Sequence, residues 1–302
     1  MTTRSVPASA AGRAGIGAAR AALLPLKGED AGPLVARRAR IDAYATVPLD
    51  DDIEVRSERM NGVAAVRLAA PGASRNALYL HGGAYVLGSA QTHKGLAAAF
   101  ARATGCVVWA LDYRLAPEHP YPAAVEDALA AWAWLVDRSS ATPLLFGDSA
   151  GGGLALATAV ALRARGPMPA ATVLLSPWVD LTLSGPRAEV LAPLEVMLTR
   201  AGLTQDRDRY RGELAADDPG VSPLFADLRG LPPVLIQVGQ EELLLDDAER
   251  LAARLSAAGV RVDLEIWEGM THSWHAYGAR VPEAAAAFVA IGQWLKQETG
   301  RQ

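Results

Sequence analysis

The chain is predicted to be an α/β protein built on one mostly parallel sheet with helices on both faces, and three observations carry that reading. Short apolar runs, "NALYLH", "CVVWALDY", "TPLLFGD", "ATVLLSPW", "PPVLIQVG" and "VDLEIW", recur along the sequence. Between them lie alanine- and leucine-rich stretches of helical character, such as residues 92–104 and 122–138. Strand and helix in alternation imply parallel strands joined by crossover helices, which bury the sheet on both faces. Finally, 302 residues at 51% hydrophobic content are enough for one large core.

Taken in order, residues 1–30 are rich in alanine and arginine and lack the continuous apolar segment of a secretory signal. Residues 1–45 are read as N-terminal cap helices, with residues 46–302 forming the main α/β domain. From about residue 53, "IEVRSERM" and "VAAVRLAAP" alternate as half-buried strands do, and Asn61-Gly62 between them signals a hairpin of two antiparallel edge strands. The alternating strand–helix series follows. Between Pro177 and Leu231 that rhythm breaks, and the stretch at about 182–230 is read as an insertion that joins residues 1–45 in a helical cap over the sheet.

The bulk numbers exclude several classes. Net charge is −4 with both signs intermixed, so no basic field exists to recruit nucleic acid. A small, mostly neutral partner is expected instead. The single cysteine, Cys106, excludes an internal disulfide and reads as a buried structural thiol, compatible with the cytoplasm. No segment offers the roughly 18 unbroken apolar residues of a membrane helix, so no integral membrane segment is expected. The histidines and the cysteine lack a zinc-like spacing, and no phosphate-binding or dinucleotide fingerprint stands out, so neither metal nor cofactor is expected.

The chemistry gathers at the carboxyl ends of the predicted strands, where ligand sites in such sheets lie. Gly147-Asp148-Ser149-Ala150-Gly151 fits G-x-S-x-G, preceded by the strand "PLLF" and followed by the helix "GLALATAVALRAR". That context suits a tight bend presenting Ser149 as a nucleophile, with glycines admitting close backbone approach. A serine hydroxyl needs a base. Of five histidines, His272 in "WEGMTHSWHAYG" follows a strand end and is favoured over His275; His81 and His119 lie in other loops, and His93 is placed on a helix surface. The imidazole in turn needs a carboxylate. "VLIQVGQEELLLDDAERL" supplies Glu241, Glu242, Asp246 and Asp247; the two aspartates open a helix and complement its dipole, which leaves Glu241 or Glu242 at the strand end. In "LYLHGGAYVLGS", Gly82 and Gly83 present unobstructed N–H groups for an oxyanion, and Ala150 adds a third donor at a helix N-terminus. The order Ser, acid, His is that of the α/β-hydrolases.

With these residues assembled, the sequence resembles the bacterial hormone-sensitive-lipase-like family of α/β-hydrolase esterases. The resemblance runs from about residue 75 onward and rests on "HGGAY" at 81–85, "DYRLAPEHPYPAA" at 112–124, "GDSAGGG" at 147–153 and "GMTH" at 269–272. It implies an α/β-hydrolase fold and hydrolysis of small, fairly apolar short- to medium-chain carboxylesters through an acyl-enzyme. In that scheme Ser149 is the nucleophile, His272 the base and then the acid, and Gly82, Gly83 and Ala150 form the oxyanion hole. Two departures stand out: Ala84 replaces the third glycine common in the oxyanion loop, and alignment of the acid segment puts Glu242 where the family carries aspartate, with Glu241 in reserve. Trp178, Leu181, Met197 and Tyr210 are candidates for an apolar wall in the cap, and Arg114 is expected to pair with Glu118 beneath the site. The same triad would also serve an N-acetyl amide deacetylase or a lactone hydrolase, and loss of a triad member would leave a small-molecule receptor. A homodimer through an edge strand or a helix is compatible with this architecture.

Overall fold

The computed structural model describes residues 1–23, 32–43, 49 and 51–300. A strand, β1 (Thr2–Val6), precedes helices α1 (Ala10–Leu23) and α2 (Leu34–Asp42). A hairpin of β2 (Glu54–Met60) and β3 (Val63–Ala69) follows. The alternating series is β4 (Arg75–Leu80), α3 (Lys94–Thr104), β5 (Cys106–Leu111), α4 (Ala123–Asp137), β6 (Leu144–Asp148), α5 (Ala150–Leu162) and β7 (Thr172–Leu175). The insertion carries α6 (Ala188–Leu191) and α7 (Arg200–Arg211), after which β8 (Val234–Gly239), α8 (Leu245–Ala257), β9 (Val262–Trp267) and α9 (Pro282–Thr299) complete the chain.

The described strands form one sheet in the order β1-β9-β8-β7-β6-β4-β5-β3-β2. Only β3 runs against its neighbours, β2 and β5; all other pairs are parallel. The hairpin turns on Asn61 and Gly62, at φ 48° and 91°, the left-handed pair that a two-residue turn between twisted strands requires. The edge strand β2 is exposed and carries Glu54, Arg56, Glu58 and Arg59, charges that oppose edge-to-edge pairing.

Alternation along each inner strand divides its side chains between two cores. Leu78 and Leu80 of β4 pack with Trp132 of α4, Leu154 of α5 and Leu251 of α8 on one face. Ala77 and Tyr79 pack with Phe100 of α3 and Ile291 of α9 on the other. Each leucine so buried contributes roughly 1.5–3 kcal/mol. Because both faces are covered, β5, β6 and β8 are buried throughout, which is why they read as continuous apolar runs.

The N-terminal stretch departs from an all-helical cap. Thr2–Val6 is extended and pairs in parallel with β9, where Arg4 donates to Glu265 at 2.5 Å. The segment is short and mostly exposed, so its composition carries no strand pattern; the open backbone edge of β9 supplies the partner. Residues 24–31, 44 and 45 of the predicted cap lie outside the described residues. Arg37 of α2 makes a two-pronged pair with Asp206 of α7, at 2.8 and 2.6 Å. Arg38 donates to Val86 O, Ala116 O and the Glu118 carboxylate. These bonds join α2 to the insertion and to the loops after β4 and β5. Among the described residues, no helix is long and apolar enough to cross a membrane.

Candidate active site

The bend after β6 is set by backbone crowding. A Cβ at Gly147 would lie 2.2 Å from Gly151 O, and one at Gly151 would lie 2.0 Å from Leu80 O, so neither position admits a side chain. Between them Ser149 is held at φ 53°, ψ −122°, a conformation that costs a residue other than glycine about 1–3 kcal/mol. The surroundings hold it there. Ser149 N–H donates to Leu175 O of β7 at 2.8 Å, and Ser149 O accepts from Gly153 and Trp178 N–H.

Loops after β8 and β9 bring two further groups to this serine. His272 Nε2 is 3.0 Å from Ser149 Oγ, and His272 Nδ1 is 2.6 Å from Glu242 Oε2. All three side chains are buried. Burial opposes a charged imidazole, but the hydrogen bond and negative charge of Glu242 outweigh it and, aided by Glu195 and Asp148, hold the His272 pKa above its usual value. Glu242 is itself fixed: its Oε1 accepts from Ser176 Oγ at 2.8 Å and from Gly239 N–H at 2.5 Å. Ser176 was not singled out in the sequence. Its signal there is positional, a serine ending the strand next to the one that carries the bend.

The other acidic candidates are committed elsewhere. Glu241 points away from His272 and pairs with Arg20 of α1. Asp246 accepts from Arg187 N–H and Nε at 2.7 and 2.6 Å. Asp247 accepts from Val179 and Asp180 N–H, and burial, with Asp180 nearby, pushes its carboxyl up to about 8.

The loop after β4 departs from one expectation, that Gly82 offers an open N–H. Gly82 N–H donates to Asp148 Oδ1 at 2.9 Å and is therefore occupied. Asp148 also accepts from Tyr79 Oη at 2.6 Å, so this buried carboxylate clamps the loop to the bend. The N–H groups of Gly83, Ala84 and Ala150 have no acceptor among the described residues. Ala84 and Tyr85 both sit in the left-handed region, at φ 54° and 64°. Ala84, where the family commonly carries glycine, thus keeps an open N–H, because a backbone donor depends on the peptide's direction, which the residue type does not encode.

The remaining histidines are structural in their contacts. His81 donates from Nδ1 to Gly82 O at 2.7 Å and stacks on Tyr113; burial, reinforced by His93, pushes its pKa down to about 3. His93 flanks the start of α3, rather than its open surface, with Nε2 4.0 Å from Asp148 Oδ2. His275 is buried against Trp274 with Nε2 2.9 Å from Gln237 Oε1, and burial pushes it to about 3. It does not reach the serine's mouth.

Two other expectations divide. Trp178, Leu181 and Tyr210 are buried, with Tyr210 stacked 3.6 Å from Tyr85, while Met197 is exposed. Arg114 does not pair with Glu118. It lies over the first turn of α4, within 3.0 Å of Asp127 and 3.1 Å of Glu126, and Glu118 faces α2 and takes Arg38. Among the described residues, no group of three or more His, Cys, Asp or Glu side chains is arranged to hold a metal ion.

A family described as alpha/beta hydrolase fold matches residues 77–276. An acetyl-hydrolase of Streptomyces hygroscopicus is 45% identical over 229 residues, 75% of this chain and 77% of its own. An esterase of Acinetobacter venetianus is 35% identical over 252 residues, 82% of this chain and 83% of its own. The crystal structure of EstE5 soaked with p-nitrophenyl butyrate superposes with a TM-score of 0.90 at 40% identity, covering 95% of this chain and 99% of that one. An esterase from the bacterial hormone-sensitive lipase family superposes with a TM-score of 0.89 at 42% identity, covering 96% and 99%.

Proposed function

The chain belongs to the bacterial hormone-sensitive lipase family of α/β hydrolases, and from that premise we propose that it is a serine carboxylesterase in which Ser149, His272 and Glu242 carry out the reaction. The observation that carries the assignment of roles is the continuous hydrogen-bonded line from Ser149 Oγ through His272 to Glu242. As His272 Nε2 accepts the Ser149 proton, Oγ attacks the ester carbonyl and the carbonyl π pair moves onto oxygen. Glu242 holds the imidazole with Nδ1–H toward itself and balances the charge the ring gains. The oxyanion faces the N–H groups of Gly83, Ala84 and Ala150, donors already oriented before reaction. His272 then gives its proton to the leaving alcohol, and water repeats the sequence on the acyl-serine.

Small, fairly apolar esters of short to medium acyl chains are the proposed substrates. Support comes from the buried aromatic cluster of Tyr85, Trp178 and Tyr210 beside the bend. The relative named acetyl-hydrolase and the short-chain ester soaked into EstE5 point the same way. Intermixed surface charge favours such a neutral small molecule over nucleic acid. A cytoplasmic location, in keeping with one buried cysteine, is tested by cell fractionation, and a homodimer by light scattering.

Covalent labelling by a fluorophosphonate tests the roles directly. Wild-type protein is expected to take one label at Ser149, and Ser149→Ala none. A folded wild type that takes no label ends the nucleophile assignment. A panel of matched esters, amides and lactones of increasing acyl length tests the substrate class, with short esters expected to turn over fastest.

A further inference from the structure

The insertion is stitched to the loop bearing Glu242 on both sides of that residue. On one side, Arg20 of α1 donates to Leu194 O of the insertion at 2.5 Å and pairs with Glu241. On the other, Leu243 N–H donates to Glu195 Oε2 at 3.2 Å. Glu195 is fully buried, in the turn between α6 and α7. Its Oε1 accepts N–H bonds from Val196, Met197 and Leu198 at 2.8, 2.7 and 3.2 Å. One carboxylate oxygen thus closes its own turn, and the other reaches across to the residue after Glu242.

We propose that Glu195 is a positioning residue for the hydrolytic site, tying the insertion to the loop that carries Glu242 and so fixing that carboxylate against His272. The inference rests on the assignment of Ser149, His272 and Glu242 made above. A buried carboxylate is the side chain this place needs, because both of its oxygens face N–H donors and only an acceptor at each end satisfies them. Leu243 is covalently next to Glu242, so the position of its peptide limits where the Glu242 carboxylate can stand. The negative charge adds to the effect. Glu195 acts on His272 in the same direction as Glu242 and Asp148, favouring the protonated ring, while the neighbouring His275 is neutral.

Glu195→Gln separates the two halves of this arrangement. The amide keeps one oxygen for the Val196, Met197 and Leu198 N–H groups, so the turn survives. Its NH₂ then faces Leu243 N–H, donor against donor, and the tie is lost. Kinetics on a short-chain ester at several pH values, with a thermal melt beside them, form the test. The expected result is a kcat lower by about tenfold, the scale of one hydrogen bond to a charged group, with KM within about twofold. The pH midpoint of kcat/KM moves to lower pH. If kcat and the midpoint match wild type, or if only the melting temperature falls while the midpoint stays put, the proposal is overturned and Glu195 merely braces the turn. Fluorophosphonate labelling of the wild type keeps the premise separate: no label at Ser149 defeats the assignment of the site, whatever Glu195→Gln does.

Discussion

At the Ser149 bend backbone is packed on backbone, with Gly147 and Gly151 closing to distances that leave no room for a methyl group. At the imidazole, the loop from β8 is held instead by side-chain hydrogen bonds with Ser176 and Glu195, and the loop from β9 by one with Gln237 of β8. The first half is rigid for steric reasons and fails abruptly when crowded. The second is a network that loses function in steps as its bonds are removed. Damage to the first half is therefore expected to be structural, and damage to the second to fall on turnover.

The sharpest way to break the steric half is Gly151→Ala. Its methyl would meet the carbonyls of both Leu80 and His81, neither of which is the end of a flexible side chain. We expect loss of more than about 4 kcal/mol of stability, read as a collapsed urea midpoint together with loss of fluorophosphonate labelling. Normal stability would show that the bend relaxes, and the contrast between the halves would disappear.

Glu242→Gln attacks the other half without disturbing the first. Loss of the carboxylate leaves the imidazole wrongly oriented, for which a known triad loses about 10⁴ in rate. Steady-state turnover should fall on that scale while the urea midpoint moves little.

Each half also contains a buried neutral histidine, His81 in the loop after β4 and His275 in the loop after β9, both pushed down to about 3 by burial. The unfolded rings titrate near 6.5, so below that pH the unfolded chain binds more protons than the folded one. Stability is present above pH 6.5 and lost as pH falls toward 3, by up to about 1.4 kcal/mol per pH unit for each ring. His272 has the opposite sign, because its pKa is raised. Its contribution is complete below pH 6.5 and lost as pH rises through the folded value, and the acid limb of kcat/KM should accordingly fall above 6.5. Urea titrations from pH 7 to pH 4 read the first effect, and a pH–rate profile reads the second. A flat midpoint across that range would mean that both buried rings charge in the folded protein.

Ser176→Ala removes one of the two donors on Glu242 Oε1 and leaves Gly239 N–H in place. A loss of about tenfold in kcat with little change in melting temperature is expected. Smallest of all is Glu241→Gln. Its pair with Arg20 is partly exposed, such pairs contribute about 0–1 kcal/mol, and turnover should stay within about threefold of wild type. A loss equal to that of Glu242→Gln would exchange the roles of the two glutamates.

The steric half was legible in the sequence because glycine at fixed spacing between a strand and a helix is a local requirement. The apolar runs were legible for a related reason: β5, β6 and β8 are covered on both faces, so every residue in them answers to the same demand for burial. His272 and the choice between Glu241 and Glu242 were visible as strand-end loops. Side-chain spacing alone could not say which glutamate turns inward, since consecutive residues leave a loop in different directions.

Residue types alone carried the alternation of strands and helices from Arg75 onward, the hairpin at Asn61-Gly62 and the bend at Ser149, because each is a matter of local conformation or periodic burial. The tertiary structure decided the rest. It spent Gly82 N–H on Asp148, leaving Gly83 and Ala84 as open donors, and turned Arg114 to Asp127 rather than Glu118. It also laid Thr2–Val6 against β9 and set Ser176 and Glu195 around Glu242. These are partnerships between segments up to hundreds of residues apart, and a hydrogen bond is fixed by direction and distance in space, which residue types along a chain do not specify.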